Sequence, residues 1–333
     1  MRASHLTLLS FVLAASKLAS GGPPSAIAQP ALGYSFDSAA AAIRPIWGIP
    51  GAALPSDPLS LNVPLASAAV YDQLGIALVV SGADQSVQLA VLNASPATLS
   101  PLNGAMTAPD RMVFSASGTA AALYSVANSH LQVVTGLPGS PVVSEVPAAN
   151  LRNPLALAVS DDGSHLLAAY GTTDSDPVWL LSADGAAVQL PLSGTTAALA
   201  FDAGRQNAAF VTLSGDVILA SGLYGQASYT VIQPGGDATS APVAVRFSAA
   251  GDRVFVATQS GALAVISASA GLLSRASCQC APTGLIPSAS QSLFRLNEVS
   301  GNPVLLFDAT SPDTRVWFVP PPQTPAVPQG SAQ

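Results

Sequence analysis

Residues 247–267 read FSAAGDRVFVATQSGALAVIS, and residues 159–170 read VSDDGSHLLAAY. Each begins with an apolar β-former, then a Ser, small or acidic residues and a Gly, and runs on into a second apolar stretch. The same phrase returns as YDQLG (71–75), FSASG (114–118) and FDAG (201–204), with a degenerate copy, IPSASQS, at 286–292. Between the leading residues Tyr71, Phe114, Val159, Phe201, Phe247 and Ile286 the steps are 43, 45, 42, 46 and 39. A Gly-bearing turn between two apolar runs, repeated at that period, is the pattern of one propeller blade per repeat.

Within a repeat the runs number four. The third repeat gives PLALAVS (154–160), HLLAAY (165–170), PVWLLS (177–182) and AVQLPLS (187–193). Runs this short, β-branched and aromatic, with Gly, Pro, Asp or Ser between them, are strands joined by tight turns. No segment beyond residue 28 holds a 3.6 period for three turns without a breaker, so the expected fold is all-β with four-stranded blades. First runs carry small residues at alternate positions (Ala69, Ala156, Ala158, Ala198, Ala200, Ala244), which suits the crowded axis of a propeller. Their bulky partners, Val70, Leu157, Leu199 and Val245, are expected to pack on the adjacent blade.

An extra pair of runs precedes the repeats: ALGYSFDS (31–38) and AIRPIWGI (42–49). It matches PVLLFDAT (303–310) followed by RVWFV (315–319), a third and fourth strand. The total is then twenty-six runs, two more than six blades need and two fewer than seven need. Seven blades with one incomplete, closed where the chain ends meet, are favoured over six with an appended hairpin, because a lone hairpin is marginal in water. Trp47 or Phe36 is expected to be buried at that seam against residues 303–319, and residues 51–64 to form a connector.

Charged residues make up 9% of the chain, against roughly a quarter in ordinary soluble proteins. The formal net charge is −7, and about −9 without Arg2 and Lys17. Nine scattered Arg beyond them form no basic stripe, which excludes nucleic acid as the partner class. No apolar run approaches the roughly 18–20 residues of a spanning helix. Residues 1–28 read as a signal peptide: Arg2 and His5, an apolar stretch from Leu6 to Ala15, and Ala26-Ile-Ala28 as a cleavage site. Export to the periplasm, cell surface or medium is the expectation, with one propeller domain over 29–320 and a disordered Pro-rich tail over 321–333.

The residues offer little catalytic chemistry. His130 and His165 open strands and read as solvated. Asp161, Asp162, Asp174 and Asp176 are an acidic concentration, but they fall on two turns at opposite ends of a strand of roughly 20 Å, too far apart for one cation. No metal and no cofactor is expected. Cys278 and Cys280 form C-x-C. On an extended strand their Cα atoms would stand roughly 6.5–7 Å apart, the far limit for a disulfide, so pairing needs a turn there. A small-loop disulfide is the leading reading and two free thiols the next.

The turn phrase of 159–170 and 247–267 resembles that of the lactonase-like and YVTN-type bacterial β-propellers, over about residues 66–320. The resemblance implies the propeller fold. The family spans lactonases, scaffolds and exported proteins of other kinds, so it implies no single chemistry. Metal-using lactonase propellers place carboxylates and Asn round the channel, and with Glu145 and Glu298 the only glutamates that set is not visible. The expected function is a secreted, non-catalytic binding or interaction scaffold whose partner is another protein or a carbohydrate. A structural part of a cell-envelope assembly and a lactonase-like hydrolase acting at the channel mouth are the alternatives.

Overall fold

Every repeat phrase becomes a hairpin turn between two strands. The computed structural model describes residues 30–147, 153–171, 177–288, 290 and 292–322. The signal-like residues 1–28, Asp174, Asp176 and the tail beyond 322 lie outside the described residues. Among the described residues there are twenty-seven strands and no helix, in seven antiparallel sheets that form the blades of a propeller.

Blade I has three strands, β1 (Ala31–Asp37), β2 (Ala42–Ile49) and β3 (Ala52–Pro55). Blade II comprises β4 (Leu65–Tyr71), β5 (Ile76–Ser81), β6 (Val87–Val91) and β7 (Thr98–Pro101). Blade III follows with β8 (Arg111–Phe114), β9 (Ala121–Ser125), β10 (His130–Thr135) and β11 (Val142–Glu145). Blade IV is β12 (Ala156–Val159), β13 (His165–Ala169), β14 (Val178–Ser182) and β15 (Ala187–Leu190). Blade V is β16 (Thr196–Phe201), β17 (Asn207–Thr212), β18 (Val217–Ser221) and β19 (Ser228–Gln233). Blade VI contains β20 (Pro242–Phe247), β21 (Arg253–Thr258), β22 (Ala262–Ser267) and β23 (Gly271–Ser277). Blade VII ends the ring with β24 (Ile286–Pro287), β25 (Leu293–Arg295), β26 (Val304–Asp308) and β27 (Arg315–Val319).

Seven blades, one of them incomplete, is therefore the architecture, and the six-bladed alternative is set aside. Two details differ from the sequence reading. The supposed connector 51–64 contributes β3, whose four residues, Ala52–Pro55, are too few to show an alternating pattern. The N-terminal pair then occupies the second and third positions of its blade, not the third and fourth. β1 lies against the first strand of blade II as β13 and β17 lie against those of blades V and VI, while β3 lies beside the outermost strand β27.

Strand side chains alternate faces, so each blade buries one set against each neighbour. In blade IV, Leu157, Val159, Leu166 and Ala168 face blade III, whereas Ala158, Leu167, Ala169 and Leu180 face blade V. Large meets small across these interfaces. Leu199 and Phe201 of blade V pack on Ala158, and Val245 and Phe247 of blade VI pack on Ala198 and Ala200. The small–large alternation thus lets adjacent inner strands approach near the axis. The seam follows the same rule with different residues from those expected. Leu32, Ile46 and Ala53 pack on Leu293, Val304, Leu306 and Val319. Trp47, one residue on, projects to the other face, and Phe36 packs against blade II.

The turn glycines Gly118, Gly163 and Gly251 have φ of +76°, +71° and +70°, the left-handed region that glycine tolerates best. At Gly163 a Cβ would also stand 2.4 Å from the Thr135 methyl of the neighbouring blade. Gly163→Val should therefore destabilise the protein by about 1–3 kcal/mol, measured by urea unfolding. An unchanged midpoint would show that the turn accepts a branched side chain.

Candidate functional site

The turn phrase has a physical basis in its Ser. The Oγ atoms of Ser115, Ser160 and Ser248 accept hydrogen bonds from the amides of Ala120, His165 and Arg253, at or just before the start of the next strand. These turns gather at one mouth of the channel. From them and from the inner strands, cross-blade hydrogen bonds step round the ring. Tyr71 Oη donates to the Ala116 carbonyl (2.6 Å), joining blades II and III. Asp161 accepts Ser117 N through Oδ1 and Gly204 N through Oδ2, both at 2.7 Å, and so joins III, IV and V. Arg205 Nη1 donates to the Ala250 carbonyl (2.5 Å), and Arg246 Nε to the Leu285 carbonyl (3.2 Å). Ser288 Oγ donates to the Leu32 carbonyl, and Tyr34 N to Asp72 Oδ1 at 2.7 Å, which returns the chain of bonds to blade II.

Of the four acids singled out in the sequence, Asp161 and Asp162 are held in this framework. Asp161 spends both oxygens on backbone amides. Asp162 accepts Ser160 Oγ (2.6 Å) and Ser164 Oγ (2.7 Å). Burial pushes its pKa up, but these hydrogen bonds outweigh burial and hold it below the usual carboxylate value. His165 stacks on Tyr224 at 3.8 Å between centroids. Burial lowers its pKa, against the opposing pull of Asp162 and Asp184. A cavity of about 260 Å³ lies beside them, bounded by Asp161, Asp162, Asp202, Arg205 and Tyr224. His130 pairs with Glu145 on the outside of blade III, away from the channel. No group of three or more His, Cys, Asp or Glu suited to a metal occurs among the described residues. Cys278 and Cys280 are joined as a disulfide, with Cα atoms 5.1 Å apart. The chain turns between them at Gln279, whose φ is +46°.

Three charged residues outside the candidate set prove to matter: Asp72 in the first turn phrase, and Arg295 and Arg246 inside apolar runs. The first two belong to the seam. No strand lies inside β1 among the described residues, so its inner edge is met by side chains and, at Asp37, by a single parallel bridge to Val299. Asp72 accepts Tyr34 N, Glu298 accepts Phe36 N (3.1 Å), and Ser288 donates to the Leu32 carbonyl. Gly33 makes the first contact possible, since a Cβ there would lie 2.2 Å from Asp72 Oδ2. Arg295, 1% exposed, donates Nη1 to Glu298 at 2.7 Å. Its Nε and Nη2, and Asp72 Oδ2, have no hydrogen-bond partner. Burial raises the Asp72 pKa to about 7; Glu298 adds to this, while Arg295 and the Tyr34 amide oppose it.

At the other mouth the channel widens into a cavity of about 370 Å³. Its walls come from inner strands of blades III to VII, mostly Ala, Val and Leu, with Arg111 near the rim and Arg246 deeper. Arg246 also borders a pocket of only about 20 Å³ on the turn side, and so stands between the two. Burial lowers its pKa, with the Tyr71 phenol opposing.

No family profile matches the chain, and no curated protein matches it. Solved structures share its fold. A functionally unknown protein from Desulfotomaculum acetoxidans superposes with a TM-score of 0.59 at 11% identity, over 87% of this chain and 99% of that one. A candidate 6-phosphogluconolactonase from Bacteroides fragilis gives 0.57 at 13% identity, over 87% and 92%. The lactonase-like resemblance of the turn phrase therefore holds at the level of fold.

Asp72 binds its proton more tightly when folded, at about 7, than when unfolded, near 3.9. Its contribution to stability is complete below about 4 and is lost as pH rises through about 7. Asp72→Asn, neutral throughout, should melt higher than the parent at pH 8 and close to it at pH 4; parallel curves would exclude this titration. For Cys278 and Cys280, mass spectrometry after iodoacetamide should show alkylation only once reductant is added. Labelling without reductant would show free thiols.

Proposed function

We propose that this chain is an exported, non-catalytic β-propeller that binds a protein partner through its outer surface. Export rests on the residue pattern of 1–28. The observation that carries the binding role is a groove on the outer part of blade I, of about 570 Å³, lined by Pro30, Trp47, Leu54, Pro55 and Asp57. Leu54 is 60% exposed there, and Phe318, on the outermost strand of the adjoining blade, is 68% exposed. Large apolar side chains left in water on a rigid scaffold suit a docking partner. At the turn-side mouth Asp161 joins three blades and Asp162 braces its own turn, which supports binding over chemistry as the role of the ring. The same exposed side chains favour a cell-envelope assembly as the setting.

Photo-crosslinking in intact cells tests this. A crosslinker at Leu54 should trap one discrete protein, and one at Asp313, on an exposed turn of blade VII, should not. Leu54→Asp should abolish capture while leaving the melting temperature unchanged. Equal labelling at both positions, or retention of the chain with residues 1–28 in the cytoplasm, would overturn the reading.

A further inference from the structure

The wide-mouth cavity combines features that the scaffold reading leaves unused. Two charged side chains, Arg111 and Arg246, line it, and no Asp or Glu does, in a protein of formal net charge −7. Elsewhere Arg44, Arg205, Arg253 and Arg295 each pair with a carboxylate, and Arg275 and Arg315, which do not, are exposed to solvent. Arg246 has no such ion pair among the described residues. Its Nε donates to the Leu285 carbonyl, which fixes the plane of the guanidinium. Arg111 is held likewise, with Nη1 on the Leu155 carbonyl at 2.8 Å. Arg246 is half-buried, and a guanidinium in a channel wall without a countercharge is a charge that an anion would neutralise.

We infer that this cavity is a binding site for a small organic carboxylate with an aliphatic body, its carboxylate received by Arg246 and its tail by the apolar walls. The planar fork of an arginine matches a carboxylate through two parallel hydrogen bonds. The walls beside it include Val113, Leu155, Val243 and Ile286, each with part of its surface exposed, and Thr283, whose hydroxyl donates to the Leu296 carbonyl. Those side chains suit a hydrocarbon chain better than the many hydroxyls of a sugar acid. A volume of about 370 Å³ falls within the on-the-order-of 300–1,000 Å³ of small-molecule sites. Arg111 at the rim adds to the positive potential that draws an anion inward. The site is separate from the outer groove of blade I, so it stands whether or not a protein docks there.

Calorimetric titration of the purified protein with sodium hexanoate tests the assignment, with hexan-1-ol, sodium gluconate and sodium phosphate as comparison ligands. The expected result is saturable one-to-one binding of hexanoate, weaker or absent for the other three. Arg246→Gln should weaken hexanoate binding by about tenfold or more, the scale of a lost charge-assisted hydrogen bond, and Arg111→Gln by less. Arg246→Gln without ligand should melt no lower than the parent, because it removes an uncompensated charge. A lowered melting point would mark Arg246 as a structural strut instead. No saturable binding of hexanoate, equal binding of phosphate or gluconate, or undiminished binding by Arg246→Gln would overturn the proposal.

Discussion

A twisted sheet with two apolar faces cannot stand alone in water, and every blade of this protein is such a sheet. Each must be covered on both sides, so stability is a property of the closed ring. Among the described residues the seven hydrophobic clusters correspond to the seven interfaces between neighbouring blades, with no core belonging to a single blade. Each fully buried large side chain adds about 1.5–3 kcal/mol, but only while both partners are present. The interface between blades VII and I carries the added demand of joining the two ends of the chain. It does so with aliphatic packing of Leu32 and Ile46 on Val304, Leu306 and Val319, reinforced by polar contacts at the inner edge of β1.

That inner edge explains why buried charges occur in a chain so poor in them. An unpaired strand edge in the interior leaves amides and carbonyls without partners, which is costly. Asp72, Glu298 and Ser288, borrowed from the two neighbouring blades, replace the hydrogen bonds that an inner strand of blade I would have made. Arg295 then offsets the carboxylates it lies among. The ring is completed by side chains where backbone is missing, and the charges there serve closure.

Arg246 differs from these in one physical respect. Asp161, Asp162 and Glu298 all meet donors, and Arg295 meets an acid, whereas Arg246 is fixed by a single carbonyl and opens onto the larger cavity. A framework this economical with charge leaves few positions where a ligand could find a strong handle. The widened mouth of the channel is one of them, and the outer groove by Leu54 offers apolar surface of a different kind.

The sequence by itself determined the repeat, the strand character of each run, the turn positions and the blade architecture. All of these follow from local rules: alternation at period two, Gly where φ must be positive, and Ser where a turn needs an acceptor for the next strand's amide. It also indicated that blade I would be incomplete. The identity of its strands was not legible, because β3 spans four residues and carries no pattern that separates it from a connector. Nor could the sequence say which of Ile46 and Trp47 faces the seam, since alternation fixes that they differ but only the register of β2 on β1 fixes which way each points. The pairing of Asp72 with Tyr34, the meeting of Arg295 and Glu298 beside Ser35, and the isolation of Arg246 were decided by tertiary structure alone. Those contacts join residues 38 to 263 positions apart or lie along the axis, where the inner strands of six blades converge.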